Sequence, residues 1–372
     1  MDHIFAVARQ FSATGEILEV REYGSGNVND TFLVTVGRAL PPPAAQERQR
    51  FILQRLNTEV FRQPELIMAN LGVVTGHVGR RLELQPPGPG RRFEVPRVIL
   101  TREGRDHLHD AAGSFWRALS FIEGAETFDV VRDQDHGREV GYALGLFHSL
   151  LADLPPGCLA DTLPGFHVTP DYLDQYDRIR EAKAPPWSAQ VDFCLKFVEE
   201  RRALAHVLED ARNQGRLRIR VIHGDPKVNN VLLDTATGAA VALVDLDTVK
   251  PGLVHYDIGD CLRSGCNPLG EETEAWEEVR FDPDVGRAIL GGYLPWARDF
   301  LTEPDYTCLY DAIRLLAFEL GLRFFTDYLA GNVYFKARHR EHNLARALVQ
   351  FRLTESIEGQ AGAIRAIIRD LS

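Results

Sequence analysis

HGDPKVNN, His223 to Asn230, is a polar island between the apolar runs VI and VLLD. Polar groups buried without partners are costly, so side chains crowded at this point should have chemical work to do. Asp225 is placed to accept a proton from an attacking hydroxyl. Lys227 can balance charge on a transferring phosphoryl group. Asn230 adds an amide oxygen of the kind a divalent cation accepts. Twenty residues beyond Asp225, the strand-like VALVD ends in Asp245, a hard carboxylate suited to Mg2+. Asp247 follows two positions later, on the same side of an extended chain, where it either shares the metal or braces the loop.

The H-x-D-x-x-x-x-N spacing is that of a kinase catalytic loop. HGD alone is commonplace, and a lone Asp is usually a cap or a turn residue. The two motifs together carry weight through their order, their separation and the hairpin-like NVLLD…AVALVD between them. YGSGNVND adds Gly24, Gly26 and Asn27 as nucleotide-covering candidates. Strand-like TFLVTV follows this turn, where a dinucleotide fold needs a helix, so a hairpin flap over phosphates is expected. Asn29 stands at the third glycine position of that motif.

One stretch departs from the kinase pattern. A protein kinase carries a phosphate-gripping lysine on its third strand, but FILQR places Gln54 there. An amide can hydrogen-bond a phosphate but cannot neutralise it. Lys227 is then the nearest sequence candidate for that charge. Arg55 is expected on the opposite face of the strand, and Glu65 is left without its usual partner and without a role.

The elements that must position these residues divide at FIEGAE, Phe121 to Glu126. Before it, strands are expected over residues 17–24, 30–36 and 50–56, and a helix begins near Pro64, a residue suited to a first helical position. Two further strands lie in VPRVILTREG and GSFWRALSFIEG. After it, helices are expected over 135–154, over 188–215 as one long helix, and from about 285 onward. The fold class is α+β: a small β-rich lobe followed by a larger helical one. Residues 1–122 form a small antiparallel sheet with one helix, and residues 123–372 a larger, mainly helical lobe. Glu123 and Gly124 lie in the hinge between them.

The chain has 372 residues, 45% hydrophobic and 26% charged, with a formal net charge of −11. That balance disfavours nucleic acid and anionic membrane surfaces as partners. The N-terminus has no signal-like apolar run, and no window is long enough to span a bilayer. Five cysteines, an odd number with no CxxC pair, are expected as reduced thiols of a cytoplasmic protein, mostly core fillers. A monomer or a homodimer fits these properties. His107, His109, His136 and His148 have no metal-ligand spacing.

HGDPKVNN followed by VDLDTVKPGLVHYDIGDCLR resembles the aminoglycoside phosphotransferase and choline kinase family, small-molecule kinases of protein-kinase-like fold. The supporting segments YGSGNVNDTF, FILQRLNTEVF, FIEGAETFD and GLRFFTDYLAGNVYFK are most similar to the N-acetylhexosamine 1-kinase branch. The resemblance implies transfer of the γ-phosphate of ATP, with Mg2+, to a sugar hydroxyl. Asp225 would match the base, Asn230 and Asp245 the metal ligands, and FIEGA the adenine-receiving hinge. Arg323 and Tyr334 would contact the sugar. Arg323 is also open to reading as a structural ion-pair residue, and Tyr334 as a half-buried aromatic. Asp257 and Asp260 are read as capping a helix and pairing with Arg263, and His223 as orienting the loop. Choline, an aminoglycoside, homoserine or a methylthio-sugar is the alternative acceptor. EETEAWEE, read as a solvated helix face, keeps the aminoglycoside open. A nucleotide-binding pseudokinase is the rival of a different class.

Overall fold

The computed structural model describes residues 2–11, 15–24, 28–38, 47–182 and 187–372. Gly26 and Asn27 lie outside the described residues. The chain begins with helix α1 (Asp2–Phe11), then strands β1 (Glu16–Glu22), β2 (Asp30–Arg38) and β3 (Glu47–Arg55). Helix α2 (Pro64–Leu84) is followed by β4 (Val98–Ile99), β5 (Leu108–His109), β6 (Phe115–Ser120) and β7 (Ala125–Glu126). The strands through β6 form one antiparallel sheet in the order β1-β2-β3-β6-β4, with β5 also on β6.

Alternation sorts the side chains of this sheet. Phe51 and Leu53 of β3, with Trp116 and Ala118 of β6, pack against Val7, Ala8 and Phe11 of α1. The intervening positions, Gln54 and Arg117 among them, point to the other face, toward the body of the protein. Thus the N-terminal part has two helices where one was expected. At ten residues α1 is short, and its buried Val7–Ala8–Phe11 stripe holds it against the sheet.

After β7 come α3 (Gln134–Leu151), α4 (Thr169–Ala182), α5 (Ala189–Arg201) and α6 (Val207–Asn213). The expected single helix over 188–215 is therefore broken. Arg202–His206 tightens into a 3-10 turn, where Arg201 is drawn to Glu358 and Arg202 to Asp177. Four short strands follow: β8 (Arg220–Ile222), β9 (Val231–Asp234), β10 (Ala240–Leu243) and β11 (Lys250–Gly252). β9 pairs with β10 and β7, and β8 pairs with β11. The remainder is helical: α7 (Val254–Gly265), α8 (Pro283–Ala297), α9 (Glu303–Ala330), α10 (His342–Gly359) and α11 (Ala361–Leu371).

The acidic run EETEAWEE is not a helix face. Glu271 pairs with Arg263, Glu272 with Arg346 and His342, and only a 3-10 turn forms at Trp276–Glu278. α3 and α8 cross closely because glycines line the contact. A Cβ on Gly141 would lie 1.8 Å from the Ile289 carbonyl, and one on Gly292 2.0 Å from that of Arg138. All five cysteines are free and all but Cys158 are buried. Among the described residues no helix is long and apolar enough to cross a membrane.

Candidate active site

Two strand pairs bring the polar motifs together. β8 leads into HGD and β11 follows VDLD; their pairing sets Ile222 opposite Lys250 and Val221 opposite Pro251. The backbone N–H of Val244 donates to the Asn230 carbonyl at 2.9 Å, which seats Asp245 beside the asparagine. Gly224 has φ +88°, and a Cβ there would lie 2.7 Å from the Thr248 carbonyl, so glycine is what lets the two loops touch.

The HGD loop is pinned from below. Asp257, wholly buried on α7, accepts from the backbone N–H groups of His223 (2.6 Å) and Gly224 (2.8 Å) and lies 2.8 Å from His148 Nε2. The expected pairing of Asp257 with Arg263 is thus not formed. Only Asp260 makes it, through Oδ1 at 2.8 Å. His223 Nε2 lies 2.9 Å from the Val244 carbonyl and its Nδ1 accepts from Asp225 N–H at 3.2 Å. Nε2 is therefore the protonated nitrogen, and burial lowers the ring's pKa. His223 orients the loop as a neutral imidazole.

Asp225 has one oxygen engaged. Its Oδ2 accepts from Lys227 Nζ at 2.8 Å and, weakly, from Asn230 Nδ2 at 3.5 Å, while Oδ1 has no hydrogen bond among the described residues. Crowding by protein works against the ammonium of Lys227, but Asp225 and then Asp245 outweigh it and hold the pKa above the ordinary value. Asn230 gives Nδ2 to the Asp225 carbonyl at 2.7 Å, which leaves its Oδ1 as the oxygen free for a cation.

Asp245 stands in the left-handed region, at φ 64° and ψ 57°. A non-glycine residue is strained there. The turn ends the extended chain, and Leu246–Thr248 becomes a 3-10 turn. Asp247 consequently does not share a side with Asp245. Asp245 is open to solvent yet crowded by protein and by Asp247, and its carboxyl is pushed up to about 7. A divalent cation between Asp245 and Asn230 would relieve that repulsion, so the donor set fits one. Among the described residues no group of three or more His, Cys, Asp or Glu could hold a metal alone. These two oxygens would leave the rest of an octahedral shell to phosphates and water, the usual arrangement for Mg2+.

Asp247 turns inward. Its carboxylate lies 2.5 Å from Arg117 Nη2, with the two side chains only 3% and 1% exposed, and accepts from Asn29 Nδ2 at 2.8 Å. Gln54 faces Arg117 across β3 and β6; its Oε1 accepts from Arg117 Nε (3.0 Å) and Nη2 (2.7 Å), and its Nε2 donates to Thr31 Oγ1 at 3.1 Å. Both ends of the Gln54 amide are therefore used within the protein. Arg117 went unnoticed in the sequence because its place opposite Gln54 depends on strand register.

In the FIEGAE segment, Arg92 Nη2 donates to the carbonyls of Glu123 (2.7 Å) and Gly124 (3.3 Å), and Thr235 also donates to Gly124. Those two carbonyls are thus already engaged, and the Glu123 carboxylate pairs with Arg50 at the surface. Gly24, at φ +78°, starts the β1–β2 turn, closed by Tyr23 N–H on the Thr31 carbonyl.

Arg323 on α9 lies 4.9 Å from the centre of the Tyr172 ring and 5.2 and 5.4 Å from those of Phe166 and Phe335. Glu319 is 4.0 Å away, and Tyr334 and Asp260 are within electrostatic reach. A buried relay joins this cluster to the catalytic loop. His167 Nδ1 meets Glu319 at 2.8 Å and its Nε2 meets the Gly224 carbonyl at 2.7 Å. With an acceptor at each nitrogen, both must donate, and the ring is an imidazolium.

Residues 19–297 match the model of the phosphotransferase enzyme family. The chain belongs to that family. Solved structures share its kinase-like fold over nearly its whole length. A choline kinase from Cryptosporidium parvum superposes with TM-score 0.58 at 14% identity, covering 98% of each chain. A microcompartment-associated aminopropanol kinase gives 0.56 at 15%, again over 98% of each. A spectinomycin phosphotransferase in complex with ADP and spectinomycin gives 0.51 at 14%, over 93% of each. This chain is a small-molecule phosphotransferase with the same α+β architecture.

Proposed function

We propose that this phosphotransferase acts on a neutral sugar, transferring the γ-phosphate of ATP to the anomeric hydroxyl of an N-acetylhexosamine or a related hexose. The observation that carries the reading is the placement of Arg323. A fixed guanidinium stands among Phe166, Tyr172 and Phe335, tied to the catalytic loop through Glu319 and His167. A permanent cation there repels a quaternary or primary amine, but donates readily to sugar oxygens. Tyr334, 56% exposed, adds a hydroxyl and a ring face to the rim.

In this reading residues 1–122 cover the nucleotide and residues 123–372 hold the acceptor. Bound ATP and Mg2+ supply the phosphoryl group and neutralise its charge. Asp225 orients the acceptor hydroxyl and takes its proton on Oδ1, the oxygen not held by Lys227. Lys227 offsets negative charge beside the reacting centre, and Asn230 and Asp245 would hold the cation. Little covalent work falls to the protein, so positioning and electrostatics carry the rate.

A cationic acceptor is the second reading, and one observation favours it: Oδ2 of Asp260 is buried and accepts no hydrogen bond among the described residues. The test is turnover with Mg2+ and ATP across hexoses, N-acetylhexosamines, choline, ethanolamine and aminoglycosides. Sugars should be consumed and lose their reducing reactivity, since an anomeric phosphate blocks ring opening. Arg323→Met should raise the sugar KM sharply. Turnover of amines with sugars inert would overturn the proposal.

A further inference from the structure

The phosphate-gripping lysine absent from β3 leaves a question that the neighbouring strand answers. Arg117 sits directly across from Gln54, on the face toward the body of the protein, 1% exposed. Burying a guanidinium costs several kcal/mol unless it is paired, so its partners identify its purpose. On its own sheet it is held by Gln54. Across the cleft it meets Asp247, two residues beyond the strained Asp245. The other oxygen of Asp247 takes Asn29 from the β1–β2 turn, and Asn29 Oδ1 in turn accepts from the Asn57 backbone at 3.0 Å. Two segments of the N-terminal part, β6 through Arg117 and the β1–β2 turn through Asn29, therefore meet on one carboxylate of the metal-side loop, with Gln54 and Asn57 holding those two residues in place.

We propose that Arg117 is the positioning residue that does the work of the missing third-strand lysine. Acting through Asp247, it fixes the left-handed turn that aims Asp245 at the nucleotide-bound cation, and it brings the needed positive charge into the cleft from β6 instead of β3. Gln54 is then the acceptor that orients Arg117, which explains why a neutral residue occupies that position. Arg117 Nη1, buried and without a hydrogen-bond partner among the described residues, leaves both of its N–H groups uncommitted on the same guanidinium. The proposal rests on the chain's being a phosphotransferase and is independent of which acceptor it uses.

The experiment is calorimetric binding of adenosine, of ADP, and of ADP with Mg2+, without any acceptor, to the full chain and to Arg117→Met, Arg117→Lys and Asp247→Asn. Arg117→Met should weaken binding of Mg2+-ADP by about 10- to 100-fold, the range of a charge-assisted contact, and leave adenosine within about twofold. Asp247→Asn should show the same selective loss, and Arg117→Lys should recover part of it. The double variant Arg117→Met/Asp247→Leu removes both charges together, which a fold tolerates better than one orphaned charge. It keeps the test available if the single variants do not fold, and it should bind adenosine but not discriminate Mg2+-ADP. Equal losses for adenosine and Mg2+-ADP would show a merely structural role and overturn the proposal. Unchanged Mg2+-ADP binding in Arg117→Met would overturn it too. Because no acceptor is present, failure of the sugar assignment cannot produce either result.

Discussion

The catalytic loop and the third strand reach the same cleft by different means. Much of the loop is set by neighbours close along the chain: Asp257 lies 34 positions from His223, Thr248 lies 25 away, and β8 and β11 pair directly around the two motifs, with His167 adding one anchor from 57 positions away. The third-strand site is set by partners far apart, with Gln54 and Arg117 separated by 63 positions and Asn29 and Asp247 by 218. A locally anchored site leaves a compact motif in the sequence, whereas a distantly anchored one leaves single residues whose relation depends on strand register.

The largest effect expected from breaking the local side is at Asp225. With Oδ2 on Lys227 and Oδ1 without a hydrogen bond among the described residues, Asp225→Ala removes the carboxylate that, in the proposed reading, takes the proton. We expect kcat to fall about a thousandfold, within the usual range for a positioned base, while nucleotide Kd changes less than threefold. Steady-state turnover beside nucleotide titration separates the two. A variant that kept wild-type kcat would remove Asp225 from the base role.

Next in size is the anchor beneath it. Asp257→Asn replaces one acceptor oxygen by an NH2 group facing the N–H groups of His223 and Gly224 and the ring of His148. Leaving such buried donors unpaired should cost about 3 kcal/mol, read as a lowered midpoint in urea unfolding. The corresponding change on the distant side, Arg117→Met, is expected to show first in Mg2+-ADP binding.

This contrast also explains what could be read in advance. HGDPKVNN and VALVD were legible because the chemistry and the spacing are local. The two-lobe α+β plan followed from strand-like and helical runs on either side of FIEGAE. Asp247 was misplaced because nothing in VDLDTV announces that Asp245 turns left-handed. The anchoring role of Asp257 is not legible, because it holds the loop through the backbone N–H groups of His223 and Gly224, which no residue type signals. His167, at φ +65° and 4% exposed, carries no motif at all, and only the fold brings it between Glu319 and Gly224.

His167 yields a smaller, pH-dependent effect. Burial opposes its charge, but Glu319 and then Asp260 outweigh burial and the repulsion of Arg323, so its pKa stands above 6.5. A raised folded pKa stabilises fully below the unfolded value and loses that stabilisation as pH rises through the folded value. Unfolding free energy should therefore fall by up to about 1.4 kcal/mol per pH unit between roughly 6.5 and the folded pKa. His167→Asn, a residue that tolerates the left-handed backbone, should flatten the profile in thermal unfolding at a series of pH values. An equally steep profile in the variant would assign the slope to another group.

The smallest effect belongs to the other arginine that reaches across the hinge. Arg50 on β3 pairs with Glu123 and lies 4.4 Å from the centre of the Phe121 ring, but the pair is 38% and 54% exposed. It resembles Arg117–Asp247 on paper: an arginine of the N-terminal sheet facing a carboxylate beyond it. Water screens it, and such pairs contribute under about 1 kcal/mol. Arg50→Ala should therefore shift the unfolding midpoint slightly and change Mg2+-ADP affinity by less than about threefold, with the remaining dependence fading as salt is raised. If Arg50→Ala and Arg117→Met weakened Mg2+-ADP equally, burial would not be what distinguishes the two arginines, and any cation near the hinge would serve.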